Sequence, residues 1–551
     1  MDLTKTNKLK GIGGEIELNT GEALASWQRL QFGMFIHWGL YSAFGGERNG
    51  QPVKIGYSEQ IQMWDRIPET EYLEAAKQFA AEAFDPKAIC QLAKDTGMNY
   101  IVITSKHHDG FAMFDTDTTD YNIVKQTPYG KDPLKLLAEE CHKQGLKFGV
   151  YFSLVDWHQG HAFDDNNNNQ IPVSMEPLIE QQLRELMTNY GPIAEVWFDM
   201  SSPTLEQSIK FSSIVHELQP GAAVNSRIWN NKGDFRTLAD NQVPLNTLDA
   251  PWQTPASIYH ETWGYRKWQE RNDFSGKVRD LVIGLTSVRA RGGNYLLNIG
   301  PRGDGSVVSF EQDVLMKIGE WLNRHPEAIL GASATKFGGQ SWGEVTLNGD
   351  DLYLHVINKP KDGMVRLPGL ATDVIQVVED GSTNPLKWSL ENNQLVVKCP
   401  DQPIDDIQTV IKVKLAEELR IIPEKTVEAG KDGGWSIDLA DIYTGYGFAD
   451  RGNYNTLRET TIRKTAYIVT EEAGRVVVDV QGSVLNDEVK YQIELGSEVK
   501  MVTGKQLVEN EIGSFSVNAN EVVSLTITLA DSNYNEEPLE LDLTGINLKY
   551  I

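Results

Sequence analysis

Twice between residues 85 and 153 the chain runs through an Asp-Pro pair, a helical stretch, a closing glycine and then an unbroken apolar segment. Asp85-Pro86 opens the first helix and Gly97 ends it before NYIVITS (99–105); Asp132-Pro133 opens the second and Gly145 ends it before LKFGVYFS (146–153). Aspartate before the helix, proline at its first position and glycine just past its end each suit the unpaired backbone groups and dihedral angles of helix termini. Segments apolar on successive residues belong to strands buried on both faces, and intervening helices make such strands parallel. AEVWFDM (194–200), AAVNSRI (222–228) and NYLLNIG (294–300) continue the series. Repetition over this length favours a closed barrel over an open doubly wound sheet.

A helix over 309–329 ends this region, and the texture changes. LYLHVIN, VIQVVED and QLVVKC, separated by GD, DG and NN turns, read as antiparallel strands, and AYIVTEE, RVVVDVQG, VKYQIELG and VVSLTITLA follow a glycine-containing linker. The expected architecture is α/β: a (β/α)8-like barrel over residues 1–330, then C-terminal antiparallel β-sandwich domains over 331–417 and 425–551. No solenoid or propeller period is present.

Charge narrows the partners. With 51 Lys and Arg against 77 Asp and Glu, the formal charge is −26, which excludes nucleic acid and anionic membranes as binding surfaces. Three cysteines, Cys90, Cys141 and Cys399, make no disulfide framework, and no CxxC suggests zinc. No apolar run has transmembrane length. The opening residues MDLTKTNKLKGIGGEIELNT lack the features of a signal peptide, so the chain as numbered is expected to be cytoplasmic, or secreted or periplasmic if a leader was removed.

In a parallel barrel the C-terminal strand ends face the ligand. Read in order, they give His37-Trp38, Lys106-His107-His108-Asp109, Tyr151, Trp197 with Asp199, and Arg227. Directed donors and acceptors beside aromatic walls suit a sugar, which has hydroxyls at its rim and an apolar ring face. Each residue also has an ordinary reading. Asp199 can cap the segment that follows it, and Trp38 and Trp197 can be core. Adjacent His107 and His108 are expected on opposite faces of a strand, which argues against one metal held by both. There is no HExxH, P-loop or GxSxG motif. Tyr443, Tyr446, Phe448 and Tyr454 could form a sugar-stacking platform in the last domain, or be ordinary core and loop aromatics.

FGMFIHWGLYS (32–42), YSEQI, YIVITSKHHDGF (100–111), VYFSLVDW, EVWFDM, NSRIW, TWGYR and NYLLNIGPRGDG occur in that order, and the series resembles glycoside hydrolase family 29, the α-L-fucosidases. The resemblance covers roughly 25–330. It implies a retaining exo-α-L-fucosidase with the barrel as catalytic domain, a fucosylated oligosaccharide or glycoconjugate as partner, and no cofactor or metal. A homo-oligomer is compatible with it. The Asp ending the W-x-D strand, Asp199, would be the nucleophile. His37, Glu59, His107, His108, Tyr151, Trp197 and Arg227 would bind the sugar. GDFRTLADNQVP (233–244) resembles the stretch that carries the acid/base, which selects Asp240, with Glu261 in reserve.

Two positions depart from the pattern: Gln60 stands where tryptophan is usual, and Gln253 where a glutamate often serves as acid. These departures sustain two alternatives, a carbohydrate-binding homologue without turnover and a same-scaffold glycosidase acting on a galactoside. Because recognition by these residues needs only hydrogen bonds, activity on an aryl α-L-fucoside is expected to survive prolonged treatment with a chelator. Loss on chelation that a divalent metal restores would contradict this.

Overall fold

The computed structural model describes residues 21–163, 169–244, 251–421, 425–447, 460–530 and 541–551. Two compact units are present, one running to Asn323 and one from Arg324 to Ile551 that also takes in Val243–Thr247 and Val282–Arg291.

Eight parallel strands make the sheet of the first unit: β1 (Phe32–Ile36), β2 (Tyr100–Lys106), β3 (Lys147–Ser153), β4 (Ile193–Asp199), β5 (Ala223–Val224), β6 (Arg236–Thr237), β7 (Trp252–Ser257) and β8 (Asn294–Ile299). Their order is β5-β4-β3-β2-β1-β8-β7-β6. A parallel bridge between Asn225 and Phe235 joins the two outer strands, so the sheet curls into a barrel. Helices α1 (Glu22–Gln28), α2 (Pro86–Asp95), α3 (Pro133–Gln144), α4 (Glu176–Asn189), α5 (Leu205–Leu218), α6 (Phe274–Ala290) and α7 (Ser309–Arg324) accompany it. The expected punctuation operates at α2 and α3. Asp85 accepts from Ala88 N at 3.1 Å and Asp132 from Lys135 N at 2.9 Å, while Gly97 and Gly145 adopt the left-handed conformation with φ of 86° and 81°.

The expected helix over 309–329 breaks at His325-Pro326, because proline cannot continue a helix; Pro326–Ile329 forms a separate turn. The strand expected over 222–228 is only Ala223–Val224. Beyond it, side chains replace the ladder. Asn225 bonds both the N–H and the carbonyl of Phe198, at 2.9 Å each, and Ser226 Oγ accepts from Thr237 N at 2.9 Å. The chain then turns through Ser226–Ile228, and Arg227 sits on that turn instead of a strand.

The barrel interior is packed with Phe35, Tyr100, Val102, Tyr151, Trp197 and Leu296, and α1 adds Leu24 and Trp27 below. Trp27 stacks on Phe235 with centroids 4.0 Å apart. Gly33 makes room for this core, since a Cβ there would lie 2.4 Å from the Tyr100 ring.

The second unit is antiparallel throughout its paired strands. Residues 333–415 form a five-stranded and a three-stranded sheet around Leu352, Leu354, Val365, Leu395, Ile411 and Val413. Residues 434–550 form a four-stranded and a five-stranded sheet. Tyr443 packs edge-on to Tyr467 at 5.7 Å and its hydroxyl accepts from Lys425 N at 2.9 Å. Phe448 and Tyr454 lie outside the described residues, as does the side chain of Tyr446. Among the described residues no helix is long and apolar enough to cross a membrane.

Gly319 tests the packing of α7. A Cβ there would lie 2.0 Å from the carbonyl oxygen of Asp95, a backbone atom that cannot step aside. Gly319→Ala gains about 1 kcal/mol of helix propensity but incurs overpacking of about 1–3 kcal/mol. The variant is expected to melt below the wild type in a thermal scan, and an equal or higher midpoint would refute the contact.

Candidate active site

On β4, Glu195, Trp197 and Asp199 are two residues apart, so all three face the barrel interior at successive heights, with Asp199 at the mouth. The lining of the pocket above Trp197 includes Phe35, His37, Tyr57, Glu59, Gln60, His107, His108, Tyr151, Met200, Arg227, Asp240 and Trp263. Polar groups around an aromatic wall suit a monosaccharide ring with one face against that wall. Gln60 lines the pocket and accepts from Trp64 Nε1 at 3.1 Å; Phe35, Trp197 and Trp263 supply the apolar wall.

Arg227 organises the acidic residues. Its Nη1 donates to Asp199 Oδ1 at 2.7 Å, its Nη2 to Asp240 Oδ1 at 2.9 Å, and its guanidinium lies 4.5 Å from the centre of the Trp197 ring. Tyr151 donates to Asp199 Oδ2 at 2.7 Å. Burial opposes ionisation of Asp199, but the charge of Arg227 and the bonds from Arg227 and Tyr151 outweigh it and hold the carboxyl below its usual range. Asp240 is the more open of the two, with 26% of its side chain exposed against 10% for Asp199. Its loop is pinned to β7 on both sides, by Leu238 N to Gln253 O at 3.1 Å and Asn241 N to Pro255 O at 2.9 Å.

Three histidines complete the rim. His37 Nδ1 donates to Asn298 Oδ1 at 2.7 Å, since Asn298 Nδ2 is committed to the carbonyl of Trp263 at 2.8 Å. Ser153 Oγ donates to Val155 O at 2.8 Å, so His108 Nδ1 donates to Ser153 at 2.7 Å. Each ring therefore keeps Nε2 as an acceptor, and that of His108 stands 4.0 Å from Asp199 Oδ2. Burial drives His37 down to about 3, His108 to about 4, and His107 well below the usual imidazole value. Neutral acceptors of this kind match sugar hydroxyls.

The expectation that His107 and His108 point to opposite faces is corrected here. β2 ends at Lys106 and the chain turns, with Gly110 N bonding His107 O at 3.1 Å, so both rings line the pocket 4.0 Å apart. Lys106 and Asp109 point elsewhere. Lys106 pairs with buried Asp156 at 3.0 Å, and Asp109 accepts from Tyr72 at 2.8 Å. Trp38 is core, stacked on Phe84 at 4.8 Å. Glu261 is exposed and accepts from Gln269 at 2.7 Å, away from the pocket lining. Among the described residues no group of three or more His, Cys, Asp or Glu side chains is arranged to hold a metal ion.

The profile of the Alpha-L-fucosidase family matches residues 14–327. The chain belongs to the α-L-fucosidases of glycoside hydrolase family 29. Tissue alpha-L-fucosidase of Bos taurus is 28% identical over 404 residues, spanning 69% of this chain and 85% of that protein. The crystal structure of an α-L-fucosidase from Vibrio sp. strain EJY3 is 25% identical with a TM-score of 0.69, and covers 97% of this chain and 98% of its own. A family 29 fucosidase from Bacteroides thetaiotaomicron is 26% identical with a TM-score of 0.65, over 73% of this chain and 98% of that one. It was captured as a covalent intermediate with 2-fluoro-fucosyl fluoride, using a glutamate-to-glutamine variant. For a fucosidase of this family the sequence reading missed Asn298 and Ser153, which set two histidine tautomers, and the pocket wall of Phe35, Tyr57, Met200 and Trp263. Asn298 stood within LLNIGP, but only the fold brings it to His37.

Glu59 gives a pH test. Its Oε2 accepts from the N–H groups of Trp263 at 3.1 Å and Gly264 at 2.8 Å, yet burial pushes the carboxyl up to about 7. Between the usual 4.5 and 7 the folded state holds a proton that the unfolded state has released, so stability from this group falls as pH rises. Glu59→Gln, which keeps an acceptor but cannot ionise, should gain up to about 3 kcal/mol on the wild type by pH 8 and almost nothing at about pH 4.5. Thermal midpoints of both proteins at the two pH values check this; an advantage that does not grow with pH would contradict it.

Proposed function

We propose that the chain is a retaining exo-α-L-fucosidase that releases terminal α-L-fucosyl residues from oligosaccharides or glycoconjugates through a covalent fucosyl-enzyme. The observation that carries this reading is the single guanidinium of Arg227, which holds Asp199 and Asp240 on its two terminal nitrogens at one pocket. A shared fork keeps two carboxyl groups close, as retention requires at roughly 5–5.5 Å. Asp199, held ionised, attacks the anomeric carbon while the glycosidic C–O bond breaks. Asp240 gives its proton to the departing oxygen. In the second step water attacks the same carbon, Asp240 takes the water proton, and the ester to Asp199 breaks.

Arg227 then keeps one negative partner throughout. Asp199 loses its charge on forming the ester as Asp240 gains one on losing its proton, and hydrolysis reverses the exchange. His37, His107, His108 and Glu59 are the proposed sugar ligands, with Trp197 and Trp263 against the ring. The reading without turnover draws little from Gln253, which is fully buried and does not line the pocket.

Asp199→Ala should lower kcat at least 10³-fold, about 4 kcal/mol of transition-state stabilisation, in a protein that still folds. Asp240→Ala should slow fucosides with poor leaving groups by about 10²–10⁴ and activated aryl fucosides far less. Azide should restore turnover of the latter and yield a fucosyl azide of retained configuration. If Glu261→Ala shows that pattern and Asp240→Ala does not, the acid/base is misassigned.

A further inference from the structure

Beneath the pocket the barrel floor is polar. Glu195 and Gln253 are both fully buried, the first on β4 two residues below Trp197, the second on β7 opposite Asn294 of β8. Trp27 Nε1 donates to Glu195 Oε2 at 2.6 Å. Gln253 Nε2 lies 3.0 Å from both carboxylate oxygens of Glu195 and from the Tyr100 hydroxyl, and Gln253 Oε1 accepts from Trp197 Nε1 at 2.9 Å. The floor thus reaches the indole on whose face the Arg227 guanidinium rests.

We infer that Gln253 and Glu195 are positioning residues: they fix the Trp197 ring, and through it the Arg227 fork and the Asp199–Asp240 pair. The inference rests on the catalytic reading above. Position 253 needs a donor and an acceptor at once, the acceptor for the indole N–H and the donor for a carboxylate. Glutamine meets both needs without titrating. A glutamate would put a second carboxyl beside Glu195, and the two could be satisfied only by sharing one proton. The groups facing this pair are Trp27 from α1, Tyr100 from β2 and Trp197 from β4, with Arg227 and Asp199 beyond the indole. Glu195 is itself raised to about 7 by burial, against the bonds from Trp27 and Gln253, which shows how poorly the floor would tolerate another charge. Small displacements of a catalytic pair are costly, of the order of a hundredfold in rate per ångström.

The test uses the full chain, with kcat and KM on an aryl α-L-fucoside followed across pH. Gln253→Glu should keep most of the wild-type kcat near about pH 5, where the pair shares a proton, and lose roughly tenfold or more relative to wild type by about pH 8, with KM little changed. The exchange Glu195→Gln with Gln253→Glu restores one amide and one carboxylate in complementary positions. It should return the profile to the wild-type shape. Glu195→Gln alone sets an amide N–H among the donors Trp27 Nε1 and Gln253 Nε2, which displaces the Gln253 amide that holds the Trp197 N–H, so its kcat should fall at every pH.

A folded Gln253→Glu protein with an unshifted kcat profile would overturn the inference. So would a double variant with wild-type melting temperature whose kcat stays depressed. Should Gln253→Glu not fold, Glu195→Gln decides: a fall in kcat with unchanged KM supports positioning, and wild-type kcat refutes it. An error in the catalytic reading itself would appear separately, as activity retained by Asp199→Ala.

Discussion

A single cation between two acids governs the barrel mouth. Arg227 and Asp199 each expose a tenth or less of their side chains, so the charges are held largely away from water. Burying a guanidinium costs several kcal/mol unless carboxylates and good hydrogen bonds repay it, and removing a partner leaves an uncompensated charge. The surroundings follow from this. A flat indole supports the cation, Tyr151 fixes the second oxygen of Asp199, and the neighbouring imidazoles are neutral. A charged histidine in the same space would compete with Arg227 for Asp199. The overall charge of −26 is therefore no guide to the pocket, where one fork sets the local balance.

The fork needs Arg227 and Asp240 on irregular backbone, and the barrel provides it by economising on two strands. β5 and β6 have two residues each, and no α-helix joins them. Asn225, Ser226 and Asp234 close the wall through their side chains; Asp234 Oδ2 takes the N–H of Val224 at 2.7 Å and bonds His216 Nε2 at 2.8 Å. Met200 and Ser201, next to Asp199, have φ of 59° and 67°. Two successive left-handed residues stop the strand at Asp199 and turn the chain away, a local strain the surrounding contacts must hold.

Much of this was legible in the residues. The Asp-Pro and glycine signals marked α2 and α3 because capping is local chemistry, read within a few positions. β4 was legible through its apolar run, and His37, Tyr151, Trp197 and Asp199 at strand ends reached the pocket because a parallel barrel converts sequence order into a ring. The failures share one cause. AAVNSRI reads as a strand by composition, but Asn225 and Ser226 bond across the wall, which no window of sequence reveals. His107 and His108 follow a strand pattern, yet the strand stops one residue earlier. Gln253 looked like a lost acid, whereas its side chain faces the floor. Trp252–Ser257 carries too many polar residues for the apolar-run criterion, because Gln253 and Ser257 serve hydrogen bonds.

Buried titratable groups in the first unit press stability from opposite sides. Glu59, Glu195, Asp109 and Glu311 are all raised to about 7 by burial, so the folded chain binds protons that the unfolded chain lacks from about 4 upward. Their contribution is greatest below that range and is lost as pH rises to 7. His37 and His108 are lowered to about 3 and 4 from 6.5, so the unfolded chain binds the extra protons and their contribution is lost as pH falls from 6.5 toward 4 and below. Asp199, also lowered, adds to the loss at the acid end. Between about 4.5 and 6.5 the slopes oppose and partly cancel. The same burial that keeps the histidines neutral as acceptors and the floor poor in charge thus flattens the stability profile where Asp199 is ionised and His37 and His108 are not, the protonation state the fork requires.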